Sequence, residues 1–137
     1  MKILLDTQIL LWALTNDGRL PAKARRMIED ERNEVYYSVI SLWEVQRIHL
    51  RGGKGQVPAA GELKGYCEEA GFHMLGLAEG QVRSAESLFF ENSGYGGRGF
   101  LLWMMAVQAT EEDMLFLSAD PAAEAGDDPR ICYTAAG

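Results

Sequence analysis

Three carboxylates stand directly beyond stretches whose composition is typical of buried strands. Asp6 follows the apolar run of residues 2–5, and Asp120 lies just past the run of residues 114–117. Glu44 lies one turn into the helix predicted after a third such stretch. If these strands are parallel neighbours, all three acids face one cleft, where their hard oxygens suit Mg²⁺ or Mn²⁺. Such an ion activates water and supports hydrolysis of phosphodiesters.

Each of these acids also has an interpretation that involves no chemistry, because short polar side chains commonly cap helices. Asp6 is suited to cap the helix that follows the first strand. Glu44 is the fourth residue of the segment that begins at Ser41, which is the spacing of a capping box. Asp120 precedes Pro121, as at many helix starts. The shared position at strand ends favours the metal site and leaves capping open as the alternative.

The elements that must position the acids follow from hydrophobic periodicity and from the residues that break it. Short apolar strands alternate with helices, which predicts an α/β fold with a mostly parallel sheet of four to five strands. The predicted strands are 2–5, 35–37, 72–75, 114–117 and 131–133, and the predicted helices are 9–14, 22–31, 41–50, 59–70, 79–90 and 100–110. We expect three tryptophans and a methionine pair in the core: Trp12, Trp43, Trp103, Met104 and Met105. The alternative is that an exposed part of this set forms a partner surface, because Trp and Met are enriched at interface cores.

Composition and charge restrict the class of protein. The 137 residues, 47% of them hydrophobic, suffice for a single domain, 1–137. Its hydrophobic core needs no disulfide bonds or structural metal for stability. Cys67 and Cys132 lack metal-ligand spacing, which favours free thiols and a cytoplasmic location. No apolar run approaches the ~20 residues that span a membrane, so we expect a soluble protein. The formal charge of −7 opposes nucleic-acid binding, unless carboxylates hold a cation that reverses the local charge.

A glycine-rich segment gives a competing interpretation. Residues 94–99 match the pattern Gly-x-Gly-x-x-Gly and precede a helix, with Asp120 about twenty residues further on, as in dinucleotide-binding units. The preceding residues 79–90 have the periodicity of a helix instead of the strand that such a unit requires. We therefore prefer a loop at the mouth of the cleft.

Basic residues are concentrated after the second predicted strand. Arg47, His49, Arg51 and Lys54, with Arg98 from the glycine-rich segment, form the one local basic surface that the sequence predicts. Such a surface can contact RNA phosphates. The alternative is a solvated helix end, because helix C-termini favour cations.

Three segments, in this order and spacing, resemble a known family. LLDTQILLWAL, YSVISLWEV and LFLSADP are similar to segments of VapC-type PIN domains, the ribonuclease toxins of bacterial toxin–antitoxin pairs. The resemblance implies a three-layer α/β/α sandwich and a Mg²⁺-dependent endoribonuclease that cleaves RNA. It implies that Asp6, Glu44 and Asp120 bind the metal and act in catalysis, with Thr7 and Ser118 as polar neighbours. It further implies a homodimer and an antitoxin that fills the acidic cleft.

The chain departs from this family at two positions where relatives carry acids. Relatives place one acid six residues, and often another nine residues, before the Gln of an Ala-x-Gln-Ala helix, which is Gln108 here. Those positions hold Leu102 and Gly99, and Glu91 is the nearest acid that could substitute. Fewer carboxylates make a two-metal site harder to sustain, so we expect weakly bound Mg²⁺ or Mn²⁺ and weakened activity. The alternative is a catalytically silent PIN domain that serves as a binding or dimerisation module.

Overall fold

The sheet and its helices are described by a computed structural model that covers residues 1–53, 57–85, 99–121, 123 and 131–134. The strands are β1 (Lys2–Leu5), β2 (Glu34–Ser38), β3 (His73–Leu75), β4 (Leu115–Ser118) and β5 (Ile131–Tyr133). The helices are α1 (Thr7–Thr15), α2 (Ala22–Glu29), α3 (Val39–Ile48), α4 (Ala60–Glu69), α5 (Glu79–Ser84) and α6 (Phe100–Glu111). A π-helical turn, His49–Gly53, continues α3. All five strand predictions are confirmed to within one residue at each end.

The five strands form one parallel sheet in the order β3-β2-β1-β4-β5. β1 is the central strand, with Leu4 opposite Tyr36 of β2 and Phe116 of β4. Because the strands are parallel, their carboxyl ends meet at one edge of the sheet. The residues that follow β1, β2 and β4 are thereby brought together at that edge. The prediction of an α/β/α sandwich with a mostly parallel sheet is confirmed.

Helices cover both faces of the sheet, and each face has its own buried cluster. Ile3 and Leu5 pack with α1, α2 and α4 on one face. Leu4 and Phe116 pack on the other face, mainly against α6. This division follows from the strand geometry, in which successive side chains point to opposite faces. Of the predicted core residues, Trp12, Met104 and Met105 are buried and Trp103 is half-buried.

Trp43 lies on the surface, so its assignment to the core was wrong. The residue is 70% exposed. α3 buries Ile40, Ser41 and Val45 against the rest of the protein. Position 43 is two residues from both Ser41 and Val45, or about 200° around the helix, so its side chain faces away from the core.

The starts of α1 and α3 each lie two residues before the predicted ones, because side-chain caps determine them. Asp6 caps α1, and its Oδ1 accepts a hydrogen bond from the backbone N–H of Ile9 at 2.7 Å, as its capping interpretation predicted. Ser38 caps α3, and its Oγ accepts a hydrogen bond from the N–H of Ile40 at 3.0 Å. α3 therefore begins before Ser41, so the capping-box interpretation of Glu44 was wrong.

Several sequence predictions lie outside the described residues. These are the end of the helix predicted over 79–90, the glycine-rich segment before Gly99, and the side chains of Lys54, Glu91 and Arg98. Gly99 itself is buried and directly precedes α6. Throughout the described ranges, no helix has the length and apolar character needed to cross a bilayer.

Gln108 is a buried amide that ties α6 to the carboxyl edge of the sheet. Its Oε1 accepts a hydrogen bond from Ser38 Oγ at 2.5 Å, and its Nε2 donates to the carbonyl of Gly76 at 3.2 Å. Since Ser38 also caps α3, one side chain connects α6, α3 and the residue after β3. These hydrogen bonds fix α6 and α3 relative to the carboxyl edge of the sheet, where the acids lie.

We expect Gln108→Leu to lower the free energy of unfolding by about 2 kcal/mol or more, because it leaves the buried Ser38 hydroxyl and the Gly76 carbonyl without their partner. Urea unfolding followed by circular dichroism measures the loss. Gln46→Leu is the matched control, since partly exposed Gln46 accepts one hydrogen bond, from the N–H of Ala60 at 2.8 Å. Equal losses in the two variants would contradict the prediction.

Candidate functional site

A cleft at the carboxyl edge of the sheet is lined by all three predicted acids. Its volume is about 250 Å³. The acids reach it from three places: the cap of α1, the middle of α3, and the segment after β4. The lining consists of Asp6, Thr7, Gln8, Leu11, Glu44, Ile48, Leu102, Met105, Ala119, Asp120 and Pro121.

Asp6 is held in place by groups from β4 and α1. It is only 2% exposed. Its Oδ1 accepts the hydrogen bond from Ile9, and its Oδ2 accepts from the Ser118 hydroxyl and from the N–H of Ala119 at 3.3 Å. Its backbone N–H donates to the carbonyl of Leu117 at 3.0 Å. The carboxylate is therefore fixed before any ligand binds.

Burial dominates the electrostatics of Asp6. Loss of water raises the pKa of its carboxyl to about 6, and the negative charge of Asp120 adds to the rise. Hydrogen bonds from Ser118, Ile9 and Ala119 act in the opposite direction without cancelling the effect of burial. A carboxylate that is poorly hydrated gains more from a nearby cation than a hydrated one does, which suits Asp6 to a cation site.

Ser118 connects two of the acids. Its hydroxyl donates to Asp6 Oδ2 and accepts from the backbone N–H of Asp120, the latter at 3.1 Å. Asp120 is exposed at the cleft, whereas Asp6 lies at its base. Glu44 is half-buried on α3 and reaches the cleft from the side. The three carboxylates thus differ in burial.

A second polar contact, which the sequence analysis missed, joins the helices around the cleft. Thr7 Oγ1 and Ser41 Oγ lie 2.8 Å apart, and both residues are buried. Ser41 also donates to Met105 Sδ at 3.7 Å. The sequence feature that could have indicated this contact is Ser41, a polar residue on the buried side of α3, where apolar residues are more common.

The α6 wall of the cleft is apolar. Leu102 and Met105 are three residues apart and share a face of α6, with exposed fractions of 7% and 2%. Leu102, at a position where the family resemblance leads us to expect an acid, therefore lines the same cleft as the three carboxylates. Gly99 is not among the lining residues.

The donor set fits one hydrated divalent ion better than a pair of ions. Mg²⁺ prefers carboxylate oxygens and usually keeps several waters, for which the cleft has room. Among the described residues, no group of three His, Cys, Asp or Glu side chains lies close enough together to hold a metal. An ion in this cleft would therefore be bound by one or two carboxylates and completed by water.

A larger cavity, of about 390 Å³, lies on the opposite face of the sheet and has a different character. It lies between α1, α2 and α4 and is bordered by Leu14, Ile28 and Phe72, among others. The charged side chains there include Arg25 and Glu29, which form an ion pair at 3.8 Å. Its lining includes the acids Glu29 and Glu69 but no residue that follows a strand at the carboxyl edge of the sheet, so we assign it no chemistry.

Comparisons with known proteins agree with this architecture. The PIN domain family matches residues 3–125. No curated protein matches the chain. Among solved structures, a chain in the crystal structure of VapBC2 from Rickettsia felis bound to a DNA fragment from their promoter is 15% identical, with a TM-score of 0.63 and coverage of 100% of both chains. That likeness shows the fold, and the family match, which spans most of the sequence and includes all three acids, shows that the chain belongs to the PIN domain family.

Proposed function

We propose that this PIN domain is a VapC-type endoribonuclease of weakened activity, in which Asp6, Glu44 and Asp120 surround one Mg²⁺ or Mn²⁺. The observation that carries the proposal is the presence of all three acids in the lining of one cleft. Membership of the PIN domain family supports nuclease chemistry. The likeness to a chain of the VapBC2 structure supports an antitoxin partner. The proposal further includes a homodimer, an RNA substrate and a cytoplasmic location.

Each acid has a distinct part in this proposal. A divalent ion, when bound, supplies activation of water and stabilisation of the charge that develops on the phosphate. Asp6, fixed by its three hydrogen bonds, would be the rigid ligand. Asp120, exposed and positioned through Ser118, would be the second ligand. Glu44, on the adjacent helix, would orient a water molecule toward the phosphate.

Leu102 is the reason for the predicted weakness. It occupies the α6 wall of the cleft with a side chain that can neither bind a cation nor accept a hydrogen bond. The negative charge that would hold a second ion is therefore lacking on this wall. We expect metal binding to be weak and dominated by Asp6 and Asp120.

A second candidate is a catalytically silent PIN domain that acts as a binding or dimerisation module. The observation in its favour is that the described residues contain no three-ligand group ready to hold a metal. The apolar side chains of α6 in the cleft also favour the silent module, because they make the cleft less favourable for ions. The two candidates differ in whether metal binds at all.

Metal titration separates the candidates. We expect Mn²⁺ and Mg²⁺ to raise the thermal midpoint of the protein in a saturable manner, because a ligand that binds only the folded state stabilises it. Asp6→Asn and Asp120→Asn should abolish this rise and the accompanying weak cleavage of RNA. Asp113→Asn is the matched control, since Asp113 is an exposed acid outside the cleft.

Two outcomes would contradict the proposal. A thermal midpoint that no divalent ion changes, together with no RNA cleavage, would establish the silent module instead. Cleavage as fast as that of a relative with the complete set of family acids would show that Leu102 does not weaken the site.

A further inference from the structure

A stripe of exposed side chains on α3 borders the acidic cleft. Trp43 and Arg47 are four residues apart and share one side of α3, and Arg51 lies one turn further, in the π-helical turn. We call these three residues the α3 stripe; all three are exposed. Glu44 and Ile48 follow Trp43 and Arg47 directly in the chain and line the cleft. The stripe therefore lies along its rim.

The two arginines of the stripe have no ion-pair partner in the part of the chain that the structure describes. Four other arginines are each paired with an acid of their own segment: Arg19, Arg25, Arg32 and Arg83. In a chain with a formal charge of −7, two neighbouring guanidinium groups with no ion pair among the described residues form a local positive site, beside Glu44, which lies three residues before Arg47. Guanidinium groups match phosphate in shape and bind it through paired hydrogen bonds.

Trp43 adds a flat apolar surface beside these charges. Tryptophan is mostly buried in folded proteins, so an exposed fraction of 70% indicates a surface available to a ligand. Aromatic side chains next to basic residues are the combination that binds single-stranded nucleic acid, because bases stack on the ring while cations bind the backbone. The rise between Trp43 and Arg47 is about 6 Å, which suits successive units of an extended strand.

We propose that the α3 stripe is a binding track for single-stranded RNA, with a base stacked on Trp43 and phosphates bound by Arg47 and Arg51. The track leads to the acidic cleft, and its role as a substrate guide rests on the proposed function. A second copy of this chain is the alternative occupant. Charge disfavours it, because a twofold interface centred on the stripe brings like-charged arginines toward each other.

The test measures RNA binding without metal, so that cleavage plays no part. A fluorescently labelled single-stranded RNA of mixed sequence is titrated with protein in EDTA, and its anisotropy is followed over a range of salt concentrations. We expect Trp43→Ala to weaken binding about 10-fold through loss of stacking, and Trp43→Phe to retain most of the affinity. The double variant Arg47→Gln, Arg51→Gln should lower the slope of log K against log salt by about 1.4.

Arg26→Gln is the matched control. Arg26 is an exposed arginine on α2, away from the cleft lining, and its substitution removes the same charge. Circular dichroism verifies that each variant is folded, and Trp43→Phe and the arginine variants decide the question if Trp43→Ala does not fold. We expect Arg26→Gln to bind RNA as the unmodified protein does.

Three results would overturn the track: no RNA binding in EDTA, an equal loss of affinity in Arg26→Gln, or unchanged affinity in Trp43→Ala with a change from dimer to monomer. The last result would assign the stripe to an interface between copies. RNA binding that depends on the stripe, in a protein that neither binds metal nor cleaves RNA, would support the track while contradicting the proposed nuclease.

Discussion

Leu102→Asp is expected to raise metal-dependent RNA cleavage by about 10- to 100-fold. A direct carboxylate ligand should contribute at least as much as an outer-shell partner of a metal site, and loss of such a partner typically costs this factor. The substitution places a fourth acid on the α6 wall of a cleft that already contains Asp6, Glu44 and Asp120. Cleavage of a labelled RNA at several Mn²⁺ concentrations measures the gain.

The same substitution should make stability depend on metal. Leu102 is 7% exposed, so an aspartate there is nearly buried and its charge is unfavourable without a cation. We expect Leu102→Asp to unfold at a lower temperature than the unmodified protein in EDTA and to recover much of the difference in Mn²⁺. Thermal unfolding in the two buffers tests this directly.

Leu102→Asn is the control for the gain in activity. Asparagine has the shape of aspartate and removes the same apolar surface, but it carries no charge. If Leu102→Asn raises cleavage as much as Leu102→Asp, relief of crowding explains the effect and the ligand hypothesis is wrong. If neither variant gains activity, the hypothesis that Leu102 weakens the site is wrong.

In metal-free buffer, the free energy of unfolding is expected to fall by about 2 kcal/mol as pH rises from about 4 to about 6, because of Asp6 alone. Its carboxyl has a pKa raised from 3.8 to about 6, chiefly by burial. The folded state therefore binds a proton more tightly than the unfolded state. This contribution to stability is present at low pH and is lost as pH rises through the pKa of the folded state.

Asp6→Asn should remove this dependence, since asparagine does not titrate. Urea unfolding in EDTA, at a series of pH values across this interval, compares the two proteins. Asp17 and Asp30 do not interfere, because hydrogen bonds from Arg19 and Arg32 hold their pKa values at about 2, so the stability they contribute is lost only in more acidic solution. A slope that persists in Asp6→Asn would assign the effect to another group.

The strands and the shared edge of the acids could be predicted because both depend on short stretches of sequence. Residues 2–5 are apolar enough to be a buried strand, and a polar residue directly after a parallel strand must lie at the carboxyl edge. The first residue of α3 was harder to predict, since the residue that caps the helix, Ser38, is also the last residue of β2. Local patterns cannot separate a strand end from a helix cap when one residue is both.

The exposed side of α3 and the hydrogen-bond partners in the cleft could not be predicted from local patterns, since they depend on tertiary arrangement. Only the family resemblance implied that Thr7 and Ser118 lie near the acids. Periodicity identifies Trp43 as a large apolar residue, but only the packing of Ser41 and Val45 decides which side of the helix is buried. The hydrogen bond between Ser118 and Asp6 joins residues 112 positions apart. No spacing rule connects residues at such a separation.

The central position of β1 has a consequence for how the protein is made. β1 pairs on one side with β2, which follows it closely in the chain. On its other side β1 pairs with β4, whose residues 115–117 lie more than 100 positions further along and are therefore synthesised later. Translation proceeds from the first residue at about 5–20 residues per second, so Asp6 leaves the ribosome seconds before Ser118 exists. A nascent chain therefore lacks Asp120 and the Ser118 hydroxyl that holds Asp6 until the segment around β4 has been synthesised. The cleft is complete only when β4 has paired with β1 and the segment after it has reached the edge of the sheet.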